Sequence, residues 1–356
     1  MFVETYKTTL AEYEKFWERK NTARPILNMT CIKPGSVPYP APESLEQQWL
    51  DAQYRYNAYK HSTAITEYVA EGIPCHFANF GPGMLSACIG GSFALNPRTV
   101  WFDTKKVVED WENPPTLKFD DQSVLWQSLV REQALFASDP DASFSMTDIG
   151  GIMDVVASLR GTQDLLYDLY DYPEQLKEFT ALVKAEWNRV FDQQVETLRA
   201  AGLPYNSWMN IPSAKPWYPI QCDFCYMISP AQFAEFVLPD IIDQVNYMDR
   251  SIYHLDGIGE LPHLDMLLDI PGLTGIQWTP GAACEPLWDK KWHELYRKIQ
   301  DKKKNIVLLG GINECDMEGA ERLVKSLDPA GLYIKCWCSC REKGEEMVEK
   351  ITRWCQ

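Results

Sequence analysis

The chain has 356 residues, of which 46% are hydrophobic, and its 50 acidic and 34 basic residues give a formal net charge of −16. This length suits one large α/β barrel with insertions, whereas the acidic balance argues against a nucleic-acid surface, which needs clustered Lys and Arg. The chain has no apolar run near the ~20 residues that span a bilayer and no secretion signal at its start, so we expect a cytoplasmic protein without a membrane partner.

The predicted elements begin with helices and then alternate between strand and helix. Residues 1–20 read as an amphipathic helix, 32–44 as a Pro-rich loop and 46–62 as a second helix. Ser229 is the predicted N-cap of a later helix, with Pro230 as its first residue. Strands are predicted at 24–31, 73–81, 142–151, 203–211, 251–257, 273–281, 305–313 and 331–340.

This alternation predicts parallel strands joined by helical crossovers. The fold class we predict is α/β: a single TIM-type (β/α)8 barrel domain over 70–356, with an N-terminal helical extension and loop over 1–69. The chain lacks a G-x-G-x-x-G after its first strand and lacks a P-loop, which favours a barrel over an open nucleotide-binding sheet. Barrel enzymes carry their chemistry at the carboxyl ends of the strands, so the polar residues there are the candidates.

His254 and Asp256 end one predicted strand, and their spacing of two points both side chains to the same face. An imidazole nitrogen and a carboxylate oxygen form a partial ligand set for Zn²⁺, or a general base with its orienting partner. The structural alternative is a turn in which Asp256 caps the Asp-Gly pair and His254 bonds to backbone.

Cysteines supply a second set of candidates. The chain has eleven, and without a secretion signal most read as buried thiols rather than a disulfide framework. Three of them alternate along the last predicted strand, so their thiols share one face: Cys336, Cys338 and Cys340. A thiolate from this group would complete a nitrogen, oxygen and sulfur ligand set with His254 and Asp256.

Other side chains near the strand ends are candidate substrate contacts: Asn79, Trp208, Asp223, Tyr253, Glu260, Gln277 and Trp278. Asp223 lies inside a single Cys-x-x-Cys pair that precedes the capped helix. The three aromatic residues of this set would wall the pocket, and aromatic and acidic walls suit a methylated ammonium group through cation–π contact.

Several segments together resemble the uroporphyrinogen decarboxylase and corrinoid-dependent methyltransferase superfamily. They span residues 70–356 in the family's order and read GIMDVVASLRGTQDLLYDLYDYPEQLKEF at 151–179, ISPAQFAEFVLPDIIDQV at 228–245, YHLDG at 253–257, GLTGIQW at 272–278 and NIVLLGGIN at 305–313. The resemblance implies a barrel fold. The decarboxylases carry an Arg-rich motif near the N-terminus, where this chain keeps Arg24 but has Thr30 and Lys33 in place of the paired arginines. This departure favours the methyltransferase branch.

That branch binds Zn²⁺ through His-x-Cys on one strand and a second Cys near the last strand. The resemblance therefore implies a zinc site in which His254 matches the histidine and Cys338, or a neighbouring thiol, matches the distal ligand. Asp256 stands where the first cysteine is expected, and a carboxylate donates less electron density to zinc than a thiolate does.

We therefore predict a metal-assisted methyltransferase in which His254 and Asp256 are catalytic and bind zinc with Cys338. It would move a methyl group between a small methylated substrate, or a partner protein that supplies the corrinoid (cobalamin), and a thiol or other acceptor. One alternative is a decarboxylase-like or lyase-like enzyme for a small carboxylated or sugar-like substrate, with His254 and Asp256 as the acid–base pair. Another is a non-catalytic ligand-binding barrel. The oligomeric state stays open, with a homodimer compatible.

Overall fold

The computed structural model describes residues 2–102, 105–281 and 283–356, with side chains from Tyr6 onward. Its strands are β1 (Ile26–Ile32), β2 (Thr66–Ala70), β3 (Phe93–Leu95), β4 (Val100–Phe102), β5 (Trp217–Gln221), β6 (Arg250–Asp256), β7 (Gly275–Thr279), β8 (Asn305–Ile312) and β9 (Leu332–Trp337). Its α-helices are α1 (Phe2–Trp17), α2 (Leu45–Leu50), α3 (Ala52–Ile65), α4 (Met84–Cys88), α5 (Val124–Ala137), α6 (Ile152–Arg160), α7 (Thr162–Asp171), α8 (Pro173–Ala200), α9 (Pro230–Phe236), α10 (Leu238–Tyr247), α11 (Leu264–Leu268), α12 (His293–Asp301), α13 (Met317–Ser326) and α14 (Arg341–Trp354). Three 3-10 helices lie at Asp223–Met227, Ile258–His263 and Lys290–Trp292.

The main sheet has seven strands in the order β2-β1-β9-β8-β7-β6-β5. The six strands from β1 to β5 in that order are parallel, and β2 joins the edge antiparallel to β1. Helices separate successive parallel strands, as the alternating sequence pattern predicts. The mixed α/β class is therefore confirmed, and β1 belongs to this sheet although it lies in the predicted N-terminal region.

The two faces of the sheet bury different cores. One face carries alternate side chains that pack around α1 and form one cluster with it, namely Ile26, Trp217, Ile252, Val307 and Tyr333 with Tyr13, Phe16 and Trp17 of the helix. The opposite face packs against the surrounding helices in a larger apolar cluster. We call the face that packs on α1 the inner face, and period-two alternation assigns every other strand residue to one face or the other.

Two segments predicted as strands are extended but make little ladder pairing. His76 forms an isolated parallel bridge with Phe144, through bonds from His76 N to Ser143 O (2.9 Å) and from Ser145 N to His76 O (2.8 Å). Further along, the Thr147 hydroxyl donates to Ala78 O at 2.8 Å, so a side chain takes the place of a ladder bond. The described residues do not form an unbroken ladder between β5 and β2, and closure into an eight-stranded barrel stays a prediction.

The predicted cap of α9 and the predicted strand at 203–211 can both be compared with the structure. Ser229 caps α9 as expected and forms a capping box with Gln232, with Pro230 in the first turn. The predicted strand at 203–211 is wrong: that segment turns back on itself, with only a bridge between Tyr205 and Ser213. Of the helices in the described ranges, none combines the length and apolar character needed to cross a membrane.

Candidate metal centre

The carboxyl ends of β5, β6 and β7 lie side by side and bring the central polar residues together. In the ladder, His254 stands opposite Gln221 on one side and Gln277 on the other, and Asp256 stands opposite Thr279. His254 and Asp256 follow Ile252 at steps of two, so both lie on the inner face.

Asp223, His254 and Asp256 form a compact ligand set. One donor atom from each lies within 4.8 Å of the other two, which makes them a group able to hold a metal ion. His254 Nε2 is 3.9 Å from Asp256 Oδ2, too far for a hydrogen bond and close enough for both atoms to bind one ion. The side chain of His254 is 15% exposed and that of Asp256 41%, so the group opens to solvent on the carboxylate side.

The neighbouring strand fixes the ring of His254. Gln277 is buried, and its amide nitrogen donates to Thr279 Oγ1 at 2.7 Å, which points its amide oxygen to His254 Nδ1. Nδ1 therefore carries the hydrogen and donates a hydrogen bond to the amide oxygen of Gln277. The Nε2 atom keeps its lone pair on the side of the two carboxylates, which is the state a metal-binding histidine requires.

An aromatic ring holds the imidazole from another side. Trp208 meets His254 edge-on, with ring centroids 5.1 Å apart and planes at 85°. Among the described residues, the buried indole nitrogen of Trp208 has no hydrogen-bond partner. The structure therefore places Trp208, a predicted substrate contact, against His254.

Asp223 reaches the group because the chain turns sharply after β5. It opens the 3-10 helix at Asp223–Met227, and Asp154 at the start of α6 accepts hydrogen bonds from the backbone nitrogens of Asp223 (3.0 Å) and Phe224 (2.8 Å). Asp154 thus satisfies the exposed N–H groups of that helix from another element. The position of Asp223 depends on this contact.

The region holds more negative charge than the ligand set alone. Burial, reinforced by Asp223, raises the pKa of both Asp148 and Asp154 to about 7. Partial removal from water also raises the pKa of Asp223, as does the Asp256 charge, and the nearby His254 opposes the shift. Within the described ranges, these four carboxylates form no ion pair with a Lys or Arg.

Cys338 lies away from this group. The inner face of β9 carries Tyr333, so alternation turns Cys336 and Cys338 to the opposite face. There the Cys338 sulfur lies near Thr30 O (3.8 Å) and packs where α14 approaches at Gly344. One thiolate, from Cys338 or a neighbour, was expected to join His254 and Asp256, and the structure instead brings Asp223 to them as the third candidate donor.

Three other predicted contacts lie outside the ligand group. Tyr253 and Trp278 face the helices from their strands, and Glu260 lies in the 3-10 helix that follows β6. Trp278 is fully buried, with its ring 5.2 Å from that of Trp292. The Tyr253 hydroxyl is 3.3 Å from Glu260 Oε2. Glu260 is fully buried, and burial raises its pKa to about 11, so it is protonated at neutral pH.

Asn79 shapes a turn next to the site. Its side-chain oxygen accepts from Gly81 N at 2.9 Å, and the following residues, Pro82 and Gly83, border a cavity of about 290 Å³ beside Asp154 and Asp223. A larger cavity of about 560 Å³ lies near Tyr6 and Arg199, away from these carboxylates. The smaller cavity is the one adjoining the ligand set.

Asp148 and Asp154 are the site residues that the sequence predictions missed. Asp148 ends the predicted strand at 142–151, so the strand-end rule included its position, but Asp154 lies within a helical pattern. Asp154 in the first turn of α6 resembles an ordinary helix-dipole residue. Nothing local indicates that it contacts a segment about 70 residues away.

The parallel sheet with strand-end acids and a histidine defines an α/β protein with a candidate metal centre. Searches against protein-family models and against curated proteins find no match. Among solved structures, a methyltransferase from Methanosarcina mazei matches with a TM-score of 0.54 and 12% identity, over 91% of this chain and 94% of that one. This similarity shows a shared fold, in agreement with the resemblance seen in the sequence.

A B12-independent methionine synthase from Shewanella sp. W3-18-1 also aligns, with 11% identity over 91% of this chain and 95% of that one. Its TM-score of 0.42 is too low to establish a common fold.

Proposed function

We propose that the protein is a metal-assisted methyltransferase whose metal ligands are Asp223, His254 and Asp256. The observation that carries this proposal is the compact set of three donor atoms, together with an imidazole held in its ligand tautomer by Gln277. One nitrogen and two carboxylate oxygens suit Zn²⁺ and leave room for an exogenous ligand. The fold shared with a methyltransferase supports the reaction class.

A bound zinc ion would lower the pKa of an acceptor thiol or hydroxyl and so favour its nucleophilic form. The residues of the chain position the reactants around it. Gln277 and Trp208 hold the His254 ring, and Asp154 holds the backbone that carries Asp223.

The methyl donor in this proposal is a small methylated molecule or a corrinoid protein. The carboxyl ends of β5, β6 and β7 lie next to one another, and Asp256 at their rim is 41% exposed. A donor can therefore approach from outside without passing through the α1 core, which lies among the amino-terminal parts of the same strands.

The first experiment measures zinc in the purified full-length protein and in two variants. His254→Ala is expected to lose stoichiometric zinc. His61→Ala is the matched control and should retain it, because the His61 ring bonds to Val37 O and lies against Tyr39, outside the ligand set. Zinc that stays in His254→Ala at the parent stoichiometry contradicts the ligand assignment.

The second experiment tests methyl transfer from free methylcobalamin to a small thiol by the zinc-loaded protein. The proposal expects transfer that a chelator abolishes and that zinc restores. A metal-free protein that releases CO2 from a small carboxylic acid, and loses this activity in Asp256→Asn, would instead support the decarboxylase alternative with His254 and Asp256 as acid and base.

A further inference from the structure

The cavity beside Asp223 is lined by aromatic side chains and two carboxylates. It measures about 290 Å³ and lies between the β3–β4 hairpin, α6 and the 3-10 helix after β5. Its walls include Trp101 and Phe102 from the hairpin and Phe224 and Met227 from the 3-10 helix. Two carboxylates, those of Asp154 and Asp223, border the same space.

The two carboxylates at the cavity have no basic side chain beside them among the described lining residues. Among the described lining residues there is no Lys, Arg or His. Three other buried acids are paired with arginine, namely Glu71 with Arg24, Glu132 with Arg55 and Asp168 with Arg160, at 2.6–2.8 Å, whereas Glu260 is buried in its protonated form. The carboxylates at the cavity lack such partners in the described ranges, so a cation from outside the chain is the group that fits their charge.

A metal ion bound to the ligand set would not balance all of the carboxylates in this region. Four carboxylates lie in the region, those of Asp148, Asp154, Asp223 and Asp256. A divalent ion would balance the two ligand carboxylates, those of Asp223 and Asp256. The carboxylate of Asp154 borders the cavity and is not part of the ligand set, so it stays available to a cation in this space.

We propose that this cavity binds the ammonium group of the substrate, a methylated or otherwise alkylated amine. Alkylated ammonium ions bind to aromatic faces and carboxylates together, because the aromatic quadrupole and the anionic charge both attract a weakly hydrated cation. The inference deepens the proposed function, and it rests on that function only for the claim that this amine is the methyl-bearing substrate. It excludes an anionic ligand from this cavity.

The test compares three probes by calorimetric titration of the full-length protein, with and without zinc. Choline is the cationic probe, 3,3-dimethyl-1-butanol is its uncharged isostere and 2-sulfanylethanesulfonate is a small anion. Choline should bind at least about tenfold more tightly than the isostere, a ratio within the range of cation–π recognition in a partly dry site. Equal binding of choline and the isostere, or displacement of choline by the anion, would overturn the proposal.

Two tryptophan variants test the location. Trp101 is 58% exposed and lines the cavity, so Trp101→Leu is expected to keep its fold and to weaken choline binding about three- to tenfold. Trp337 is 47% exposed and packs on Gly311 instead, so Trp337→Leu is the matched control and should bind choline as the parent does. Unchanged choline affinity in Trp101→Leu, with zinc retained, contradicts the cavity assignment.

The outcomes keep the two proposals apart. Choline binding to the metal-free protein, in a chain that neither holds zinc nor transfers methyl groups, would reject the proposed function and leave the cation site standing. Zinc binding and methyl transfer without choline selectivity would reject the cation site alone.

Discussion

An uncharged side chain on a neighbouring strand sets the ring orientation and tautomer of His254. Gln277 accepts from Nδ1 because its own amide nitrogen is already used by Thr279. Its contribution is therefore orientation of the ring, without a charge that would change the attraction between ion and ligands. The sequence predicts Gln277 as a substrate contact, and the ladder register adds a place for it beside His254, where it would orient the ring in the proposed metal site.

Replacing Gln277 by Leu should weaken zinc binding without removing a ligand. The expected loss is about 10- to 100-fold in affinity, the usual effect of removing the partner that orients a metal-binding histidine. Competition with a chromophoric chelator measures it. Gln232→Leu is the control, since that glutamine belongs to the capping box of α9, outside the ligand set, and should leave zinc affinity unchanged. Equal zinc affinities in the Gln277 variant and the parent would contradict this role.

At the scale of elements, the site depends on hydrogen bonds between the first turn of α6 and the first turn of the 3-10 helix after β5. The first turn of α6 supplies Asp154, whose two carboxylate oxygens accept from the two backbone nitrogens that open the 3-10 helix. Asp223 is therefore placed by a contact between elements that are far apart in the chain. A cap of this kind couples the proposed metal ligand Asp223 to the packing of α6.

Replacing Asp154 by Ala should lower zinc affinity, by about tenfold, because the segment that carries Asp223 loses its anchor. Asp51→Ala is the matched control: Asp51 caps α3 through bonds to Gln53 N and Tyr54 N at 2.9 and 3.0 Å, remote from the metal group. That control should cost about 1 kcal/mol of stability and leave zinc affinity unchanged. Similar zinc affinities in both variants would show that Asp154 does not position the ligand.

The strands that sequence patterns identify best are those flanked on both faces by apolar contacts. β6, β7, β8 and β9 are rich in β-branched and aromatic residues between turn signals, and each was predicted. β5 was missed because Pro219 lies at its centre, a residue usually excluded from inner strands, and here β5 ends the ladder. β2 was missed because it follows α3 without a turn.

The difference between local patterns and tertiary contacts also explains which features of the site could be predicted from the sequence. Alternation along one strand was enough to predict that His254 and Asp256 share a face, a property that depends only on local geometry. Alternation also predicted that the thiols of the last strand share a face, but not which one, because that depends on how β9 packs against α14 and α1. The partnership of Asp154 with Asp223 is set by tertiary contacts alone.

At the scale of the whole molecule, α1 closes the inner face of the sheet. Tyr13, Phe16 and Trp17 are buried against residues of β1, β5, β6, β8 and β9. Polar contacts add to this packing: Arg250 on β6 forms a 2.7 Å ion pair with Glu14, and Asn305 donates to Phe16 O at 3.1 Å. The helix is thus part of the core rather than an appendage to it.

Replacing Phe16 by Ala should destabilise the whole protein by about 3–5 kcal/mol, the usual cost of deleting a buried aromatic ring. Urea unfolding followed by tryptophan fluorescence measures it. Tyr170, which is 75% exposed on α7, gives the control Tyr170→Ala, expected within about 0.5 kcal/mol of the parent. A Phe16 variant as stable as the control would show that α1 contributes little to the core.

The contacts of α1 also affect how the chain folds during its synthesis. The ribosome makes Phe16 long before one of its partners, since Asn305 follows it by 289 positions. The cluster around α1 joins Ile26 at the start of the sheet to Val307 and Tyr333 near its end, so the native surface for this helix is incomplete until β9 has been synthesised. Such distant pairings slow folding and prolong the exposure of apolar groups. During synthesis, part of the apolar stripe of α1 therefore stays uncovered until the last strand is made.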